Sequence, residues 1–401
     1  MPRLIADRPV LRTTSELARV MAAAAARERA GQRMLHLERG EPDFETPPHV
    51  VEALAAAART GETHYPDPRG TPRLREALVE KLARENGIVC EPDDLVVTNG
   101  GTHGLYLTFQ ELLSAGDEVM VLSPHWMAIP NLVGFVSGAT MRTLPVYLDA
   151  LAGTLGPDTL AERLRDALRP QTRGIYLNTP NNPTGAVLTR EQLTAIATVA
   201  IERDLWVVSD EAYEHLLFDG ARHVSIASLP GMAARTVSVY TFSKTYAMTG
   251  WRLGYVVSPP AMRATMGPLL SFYTTHGVFP AVQSAGRAAI TGPQDAVERM
   301  RRAYEERRDL LVAGLRGQSA VRMPVPRGAF YAFADVSGAL AGGDVWSLVE
   351  HWLSLGLAVL PGGAFGAEHA DHVRMSLATR REDVSAAAEL LTRRYSGAPV
   401  G

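Results

Sequence analysis

The sequence predicts an α/β fold: a large domain with a mostly parallel central sheet covered by helices on both faces, plus a smaller α+β domain. Short apolar, β-branched runs alternate with helical stretches through the middle of the 401 residues. Continuous apolar strands of that kind suit a parallel sheet buried on both sides. After about residue 290 the alternation gives way to a long arginine-rich helix followed by strands. A chain of this length has room for two or three structural units, or for one large body with a smaller domain.

Along the chain, "AAAAARERAG" (22–31) reads as a plain helix. "PHVVEALAAAART" (48–60) carries apolar residues at helical spacing. In "TPRLREALVEKLARENG" (71–87), Thr71 is the N-cap, Pro72 the first helical residue and Gly87 the stop, with Leu74, Leu78 and Leu82 on one face. Strands follow at 94–98, 118–122, 174–178, 205–209, 236–240 and 253–257. The helix at 294–317 alternates charge sign, the pattern of a solvated face. "AFYAFADV", "GLAVLPGG" and "HVRMSLAT" are the strands of the smaller domain. Residues 1–47 are expected to pack as an arm with that domain, since chain ends often lie close together. The large domain then spans 48–290 and the small one 291–401.

Composition removes several classes of function. Apolar residues make up 46% and charged residues 21%, as in an ordinary globular protein. A net charge of −3 gives no general attraction to nucleic acid or to an anionic membrane. The lone Cys90 excludes an internal disulfide and a zinc site built on several thiolates. There is no apolar run long enough to span a bilayer and no signal-peptide core in the first 20 residues. Pro183 bars glycosylation at Asn182. A cytoplasmic protein acting on small molecules is the expectation, with no nucleic-acid or membrane partner.

In open α/β sheets, ligands bind beyond the carboxyl ends of the strands, and there the unusual residues stand. After 94–98 comes "NGGTHGL", glycines leading into a helix: either an anion site or a plain tight turn. Trp126 follows 118–122 and either stacks on a flat ring or fills a core. "TPNNPTGAVL" follows 174–178. "DEAYEHLLF" follows 205–209, with Asp210 at the sheet edge and Tyr213 on the same side of a helical turn; a solvated acidic loop is the alternative. "TFSKTYAMTGWRLGY" (241–255) brings Lys244 and Arg252. A lysine there is a surface charge, a phosphate ligand or a nucleophile activated by burial and cationic neighbours. Arg374 sits among apolar residues of "HVRMSLAT", suited to a bidentate carboxylate or to an internal ion pair.

One ligand accounts for the set. Its phosphate takes the 99–102 turn, Thr241 and Arg252; its flat ring takes Trp126. Asp210 takes the ring nitrogen, Asn182 and Tyr213 the ring hydroxyl, and Lys244 the aldehyde. That ligand is pyridoxal 5′-phosphate (PLP), an electron sink once its ring nitrogen is kept protonated. Lys244 would hold the aldehyde as a Schiff base and later move the α-proton. Arg374 would hold the substrate α-carboxylate and so fix the reacting bond.

With these residues in place, the chain resembles the class I/II aminotransferases, the aspartate-aminotransferase-like enzymes of PLP fold type I. The matching strings are "GEPDFETP", "HYPDPRGTPRLREAL", "TNGGTHGL", "AGDEVMVLSPHW", "NTPNNPTGAV", "SDEAY", "SKTYAMTGWRLGY", "PRGAFYAF", "LPGGAFG" and "VRMSLAT", in the family's order over most of the chain. The resemblance implies Lys244 as the Schiff-base lysine, Asp210 as the ring-nitrogen partner, Asn182 and Tyr213 as hydroxyl partners and Trp126 as the stacking aromatic. It implies Gly101, Thr102, Thr241 and Arg252 as phosphate ligands. Tyr65 would reach the phosphate from a second subunit of a homodimer with shared sites. Gly40 and Arg374, assisted by Asn182, would bind the carboxylate.

The implied reaction moves the amino group of an L-amino acid to a 2-oxo acid through a pyridoxamine phosphate intermediate. The same lysine and sink would also serve β- or γ-elimination, replacement, cyclisation or oxidation. A non-catalytic PLP-binding regulator and a nicotinamide dehydrogenase are further readings; the first lacks a DNA-binding segment ahead of the fold, the second a G-x-G-x-x-G turn. His103, Ile129 and the loop 271–283 with His276 depart from the usual pattern and leave the substrate open. Arg69, His103 and His276 are candidates for a second cation that a dicarboxylate would need. His369 and His372 read as a surface loop, and no metal site is expected.

Overall fold

Seven strands form the central sheet of the computed structural model, which describes residues 15–136 and 138–395. In chain order they are β1 (Leu95–Thr98), β2 (Glu118–Ser123), β3 (Thr140–Pro145), β4 (Thr172–Asn178), β5 (Trp206–Asp210), β6 (Thr236–Thr241) and β7 (Gly254–Val257). They lie in the order β1-β7-β6-β5-β4-β2-β3. β7 is antiparallel to both neighbours and every other pairing is parallel. The carboxyl ends of β1 to β6 therefore share one edge, and β7 begins at that edge.

The near-continuous apolar strands have two buried faces to fill. Met120, Leu122, Ile175, Leu177 and Val207 pack beneath helices Pro157–Ala167 and Arg190–Glu202. The alternate residues Val119, Val121, Tyr176, Val208, Val237 and Val239 pack beneath helices Gly101–Leu112 and Arg263–Thr274. Leu95, Val97 and Tyr255 meet helices Pro48–Arg59, Pro72–Lys81 and Pro280–Thr291.

A second sheet holds Leu360–Pro361, His372–Ser376 and Tyr331–Asp335, antiparallel throughout, with His372–Ser376 in the middle. Leu35–His36 pairs in parallel with Leu357–Ala358. Val20, Ala24, Leu35 and Leu37 share one core with Leu311, Trp352, Val384 and Leu391, so the early and late parts of the described chain pack together.

Several sequence expectations need correction. β3 was not foreseen: it is an edge strand, mostly half-buried or exposed, and Arg142 breaks its apolar run. The supposed loop at 271–283 is largely helical, with one helix running to Thr274 and the next beginning at Pro280. "GLAVLPGG" yields two separate two-residue strands. The helix from Pro72 ends in a wider π turn, Leu82–Asn86, before Gly87. The helix Asp295–Leu315 is not simply a solvated face. Its Arg307 and Arg308 are buried and pair with Asp43 at 2.7 Å and Asp219 at 2.6 Å. His369 is only 5% exposed and packs on Phe333, and His372 opens a strand, so neither lies on a surface loop. Among the described residues no helix is long and apolar enough to cross a membrane.

Candidate active site

A cavity of about 270 Å³ lies at the edge where β1 to β6 end. The turn after β1 brings Gly101 and Thr102; β2 leads to Trp126 and Met127; β4 supplies Asn178 and, four residues on, Asn182. Asp210 ends β5, with Tyr213 just beyond, and β6 leads to Thr241, Ser243 and Lys244. Arg252 arrives just ahead of β7, which is how an antiparallel strand reaches the same edge. Leu17 and Gly40 close the cavity from the early chain, Tyr331 and Arg374 from the second sheet.

Lys244 lies in a single helical turn, Phe242–Thr245, capped by the Thr241 hydroxyl, which accepts from the Ser243 N–H at 3.2 Å. Its Nζ donates to the Gly40 carbonyl at 2.8 Å. Burial pulls its pKa down to about 8; nearby Arg374 and Arg252 push the same way, while Glu41 and Asp210 oppose. A lysine so placed is a neutral amine above about pH 8 and keeps a larger neutral fraction near pH 7 than an ordinary lysine does.

Asp210 is buried at the floor. Its Oδ2 accepts from the Tyr176 hydroxyl at 2.9 Å and its Oδ1 from the Ala212 N–H at 3.3 Å. Burial nevertheless raises its pKa to about 6. Asn178 ties the neighbouring strand ends together: its Nδ2 donates to the Asp210 carbonyl at 2.9 Å and its Oδ1 accepts from the Asn182 N–H at 2.8 Å. The Tyr213 and Tyr331 hydroxyls share a hydrogen bond of 3.1 Å. A Cβ on Gly40 would lie 2.6 Å from the Tyr331 hydroxyl, so only glycine lets the backbone pass there.

Arg374 is 3% exposed. One Nη donates to Asn182 Oδ1 at 3.3 Å, the other to the Glu38 carbonyl at 2.6 Å, and Nε has no partner. Its guanidinium lies over Tyr331, 4.4 Å from the ring centre. Among the described residues no carboxylate pairs with it, which leaves a buried cation facing a cavity. At the opposite end, Gly100 adopts φ +87°, and a Cβ there would fall 2.5 Å from Arg252 Nη2. Arg252 donates to the Thr249 and Asn99 carbonyls at 2.7 and 3.2 Å. The first N–H groups of helix Gly101–Leu112 have no intrahelical acceptor and face the same region.

Of the residues assigned from the sequence to the cofactor or to the substrate α-carboxylate, all but one line this cavity. Tyr65 does not; it is 78% exposed and stacks on His276 with ring centres 4.3 Å apart. None of the three candidate second cations lines it either. Arg69 is held by Asp93 at 3.1 Å and Asp67 at 3.7 Å, and His103 Nδ1 accepts from the Asn99 N–H. Sequence reasoning missed Asn178, Ser243, Tyr331, Leu17, Met127 and, behind the floor, Tyr176. Ser243 beside Lys244 and Asn178 at a strand end stood in plain view; the others read as core. Also missed was the group Glu211, Glu214 and His223. Its negative charge is met internally by Lys81, which donates to Glu214.

The donor set fits PLP. The helix N-terminus at Gly101, a buried carboxylate and a lysine of lowered pKa converge on one space, and a buried guanidinium with an unpartnered Nε opens into it. Comparisons with known proteins agree. The family described as "Aminotransferase class I and II" matches residues 32–391. Aspartate/prephenate aminotransferase of Thermus thermophilus is 42% identical over 381 residues, covering 93% of this chain and 94% of that protein. Arginine–pyruvate transaminase of Pseudomonas aeruginosa is 38% identical, covering 88% of each. The crystal structure of the Rhizobium meliloti aspartate aminotransferase superposes with a TM-score of 0.91 at 33% identity, covering 98% of this chain and 99% of that one. The chain belongs to the class I and II aminotransferases. It is a PLP-dependent enzyme that transfers an amino group between an amino acid and a 2-oxo acid.

Proposed function

We propose that the cavity is the aminotransferase active site, with Lys244 as the residue that carries PLP and moves the substrate proton. Arg374 carries this reading: a buried guanidinium with a free Nε opens into the same space as a lysine of lowered pKa. Bound PLP supplies an electron sink for the bonds at the substrate Cα. Asp210 would face the ring nitrogen as a carboxylate, Trp126 would stack on the ring, and Asn182 and Tyr213 would bind its hydroxyl. Gly101, Thr102, Thr241, Ser243 and Arg252 would hold the phosphate. Arg374 and Asn182, beside the Gly40 backbone, fix the substrate carboxylate and so its orientation. The Lys244 amine then takes the α-proton and returns it as general acid.

The lining of the cavity supports an apolar amino donor. Leu17 and Met127 are part of it, and its cations Lys244, Arg252 and Arg374 already have work on this reading. We also infer a homodimer, because Tyr65, Phe272 and Phe279 stand exposed on one protomer; a cytoplasmic location belongs to the same reading and rests on the composition and the lone Cys90. Tyr65 would reach the partner's phosphate site. The division into 1–47, 48–290 and 291–401 is part of the same proposal, supported by the separate sheets and cores; residues 1–14 and 396–401 lie outside the described residues.

The test is a donor panel in single half-reactions. Leucine, methionine or phenylalanine should shift the PLP absorbance to shorter wavelength, and a 2-oxo acid should reverse it. Aspartate should react at least tenfold more slowly. Faster reaction with aspartate would overturn the apolar preference, and turnover by Lys244→Ala would overturn the role of the lysine.

A further inference from the structure

Tyr176 is absent from the cavity lining and looks like core. It lies within β4, opposite Val208 of β5, and its ring packs 6.1 Å from that of Phe109. Its hydroxyl points at the floor of the site and donates to Asp210 Oδ2 at 2.9 Å. Among the described residues it makes no other hydrogen bond. Burial, and next the Asp210 charge, hold the phenol far above its ordinary pKa, so it remains a donor throughout the working pH range.

We propose that Tyr176 is a positioning residue for the reaction: its buried hydroxyl holds the Asp210 carboxylate ionised and aimed at the ring nitrogen of PLP. This rests on the reading of Asp210 given above. Asp210 is buried at the cavity floor, and few groups address it. From the β4 side come Tyr176 and, from the helical turn Tyr147–Leu151, the buried Tyr147. From its own strand end come Glu211, Tyr213 and the Ala212 N–H, and from the turn after β6 comes Lys244. Glu211 opposes ionisation, and its own carboxylate is turned away to Ser209, Ser225, Tyr240 and His223. Of the side chains, Tyr176 alone donates a hydrogen bond to the Asp210 carboxylate among the described residues. A hydrogen bond to a charged acceptor shifts a pKa by about one unit or more.

The experiment measures the affinity of the PLP-free protein for PLP between pH 5 and 8 by absorbance. The proteins compared are wild type, Tyr176→Phe, Tyr147→Phe and Asp210→Asn. In Tyr176→Phe the acid-side midpoint of the affinity loss should move up by about one pH unit, with Kd about fivefold weaker at pH 6. Tyr147→Phe removes an equally buried hydroxyl that instead accepts from the Asn178 N–H, and should leave the midpoint in place. An unmoved midpoint in folded Tyr176→Phe overturns the proposal, as does an equal shift in Tyr147→Phe. If Asp210→Asn matches wild type throughout, the Asp210 reading itself fails. Should Tyr176→Phe not fold, wild type made with 3-fluorotyrosine, a stronger donor, must shift the midpoint downward. An unmoved or rising midpoint there also overturns the proposal.

Discussion

Arg374 shows how a single residue can trade stability for binding. A buried charge without a counter-charge is costly, and the cost is recovered only when an anion arrives. Arg374→Met keeps most of the side-chain volume and removes the charge. Steady-state kinetics should show KM for the amino donor rising by about a hundredfold or more, since two charge-assisted hydrogen bonds are lost. The melting temperature of the ligand-free protein should not fall, which calorimetry can check. Residues such as Lys244, Asp210 and Arg374 were legible because a charge in an apolar setting is chemically conspicuous. Tyr176 and Tyr331 were not, since a tyrosine inside a β-branched run looks like packing until the partner of its hydroxyl is seen.

At the scale of elements, the turn between β1 and helix Gly101–Leu112 is, on the proposed reading, the one that would hold the phosphate. Gly100 sits in the left-handed region with the Arg252 guanidinium against it. Gly100→Ala should lower stability by roughly 1–3 kcal/mol, read from urea unfolding, and should weaken PLP binding by displacing Arg252. The strands that are buried on both faces could be read from their apolar runs. β3 could not, because an edge strand with a half-exposed face carries little apolar signal. The helical 271–274 and 280–283 segments were hidden by the Gly277 and Pro280 that mark the break between them. Conversely, the arginine-rich helix showed its charges in sequence but not which of them turn inward; Arg307 and Arg308 find partners far away in the chain, at Asp43 and Asp219.

For the whole molecule, the acidic floor would link folding to coenzyme binding on the proposed reading of Asp210. Burial raises the Asp210 pKa to about 6, above its unfolded value, so the ionised form is the disfavoured one. Its contribution to stability is fully present below about pH 4 and is lost as the pH rises through 6. A cationic ring bound against the carboxylate reverses that loss. The rise in melting temperature produced by PLP should therefore be larger at pH 8 than at pH 5, a comparison open to thermal shift at both values. An arrangement of this kind lies outside what any one stretch of sequence displays, because Asp210, its donor Tyr176 and Lys244 come from separate strands or the turns after them.

The cavity is lined from Leu17 to Arg374, nearly the full described length of the chain. A ribosome making this protein releases Asp210, Lys244 and Arg252 well before Arg374, yet the strand that carries Arg374 is the middle one of the second sheet. A product truncated ahead of it would lose both pairings of that sheet, so the cavity closes only when synthesis is nearly done.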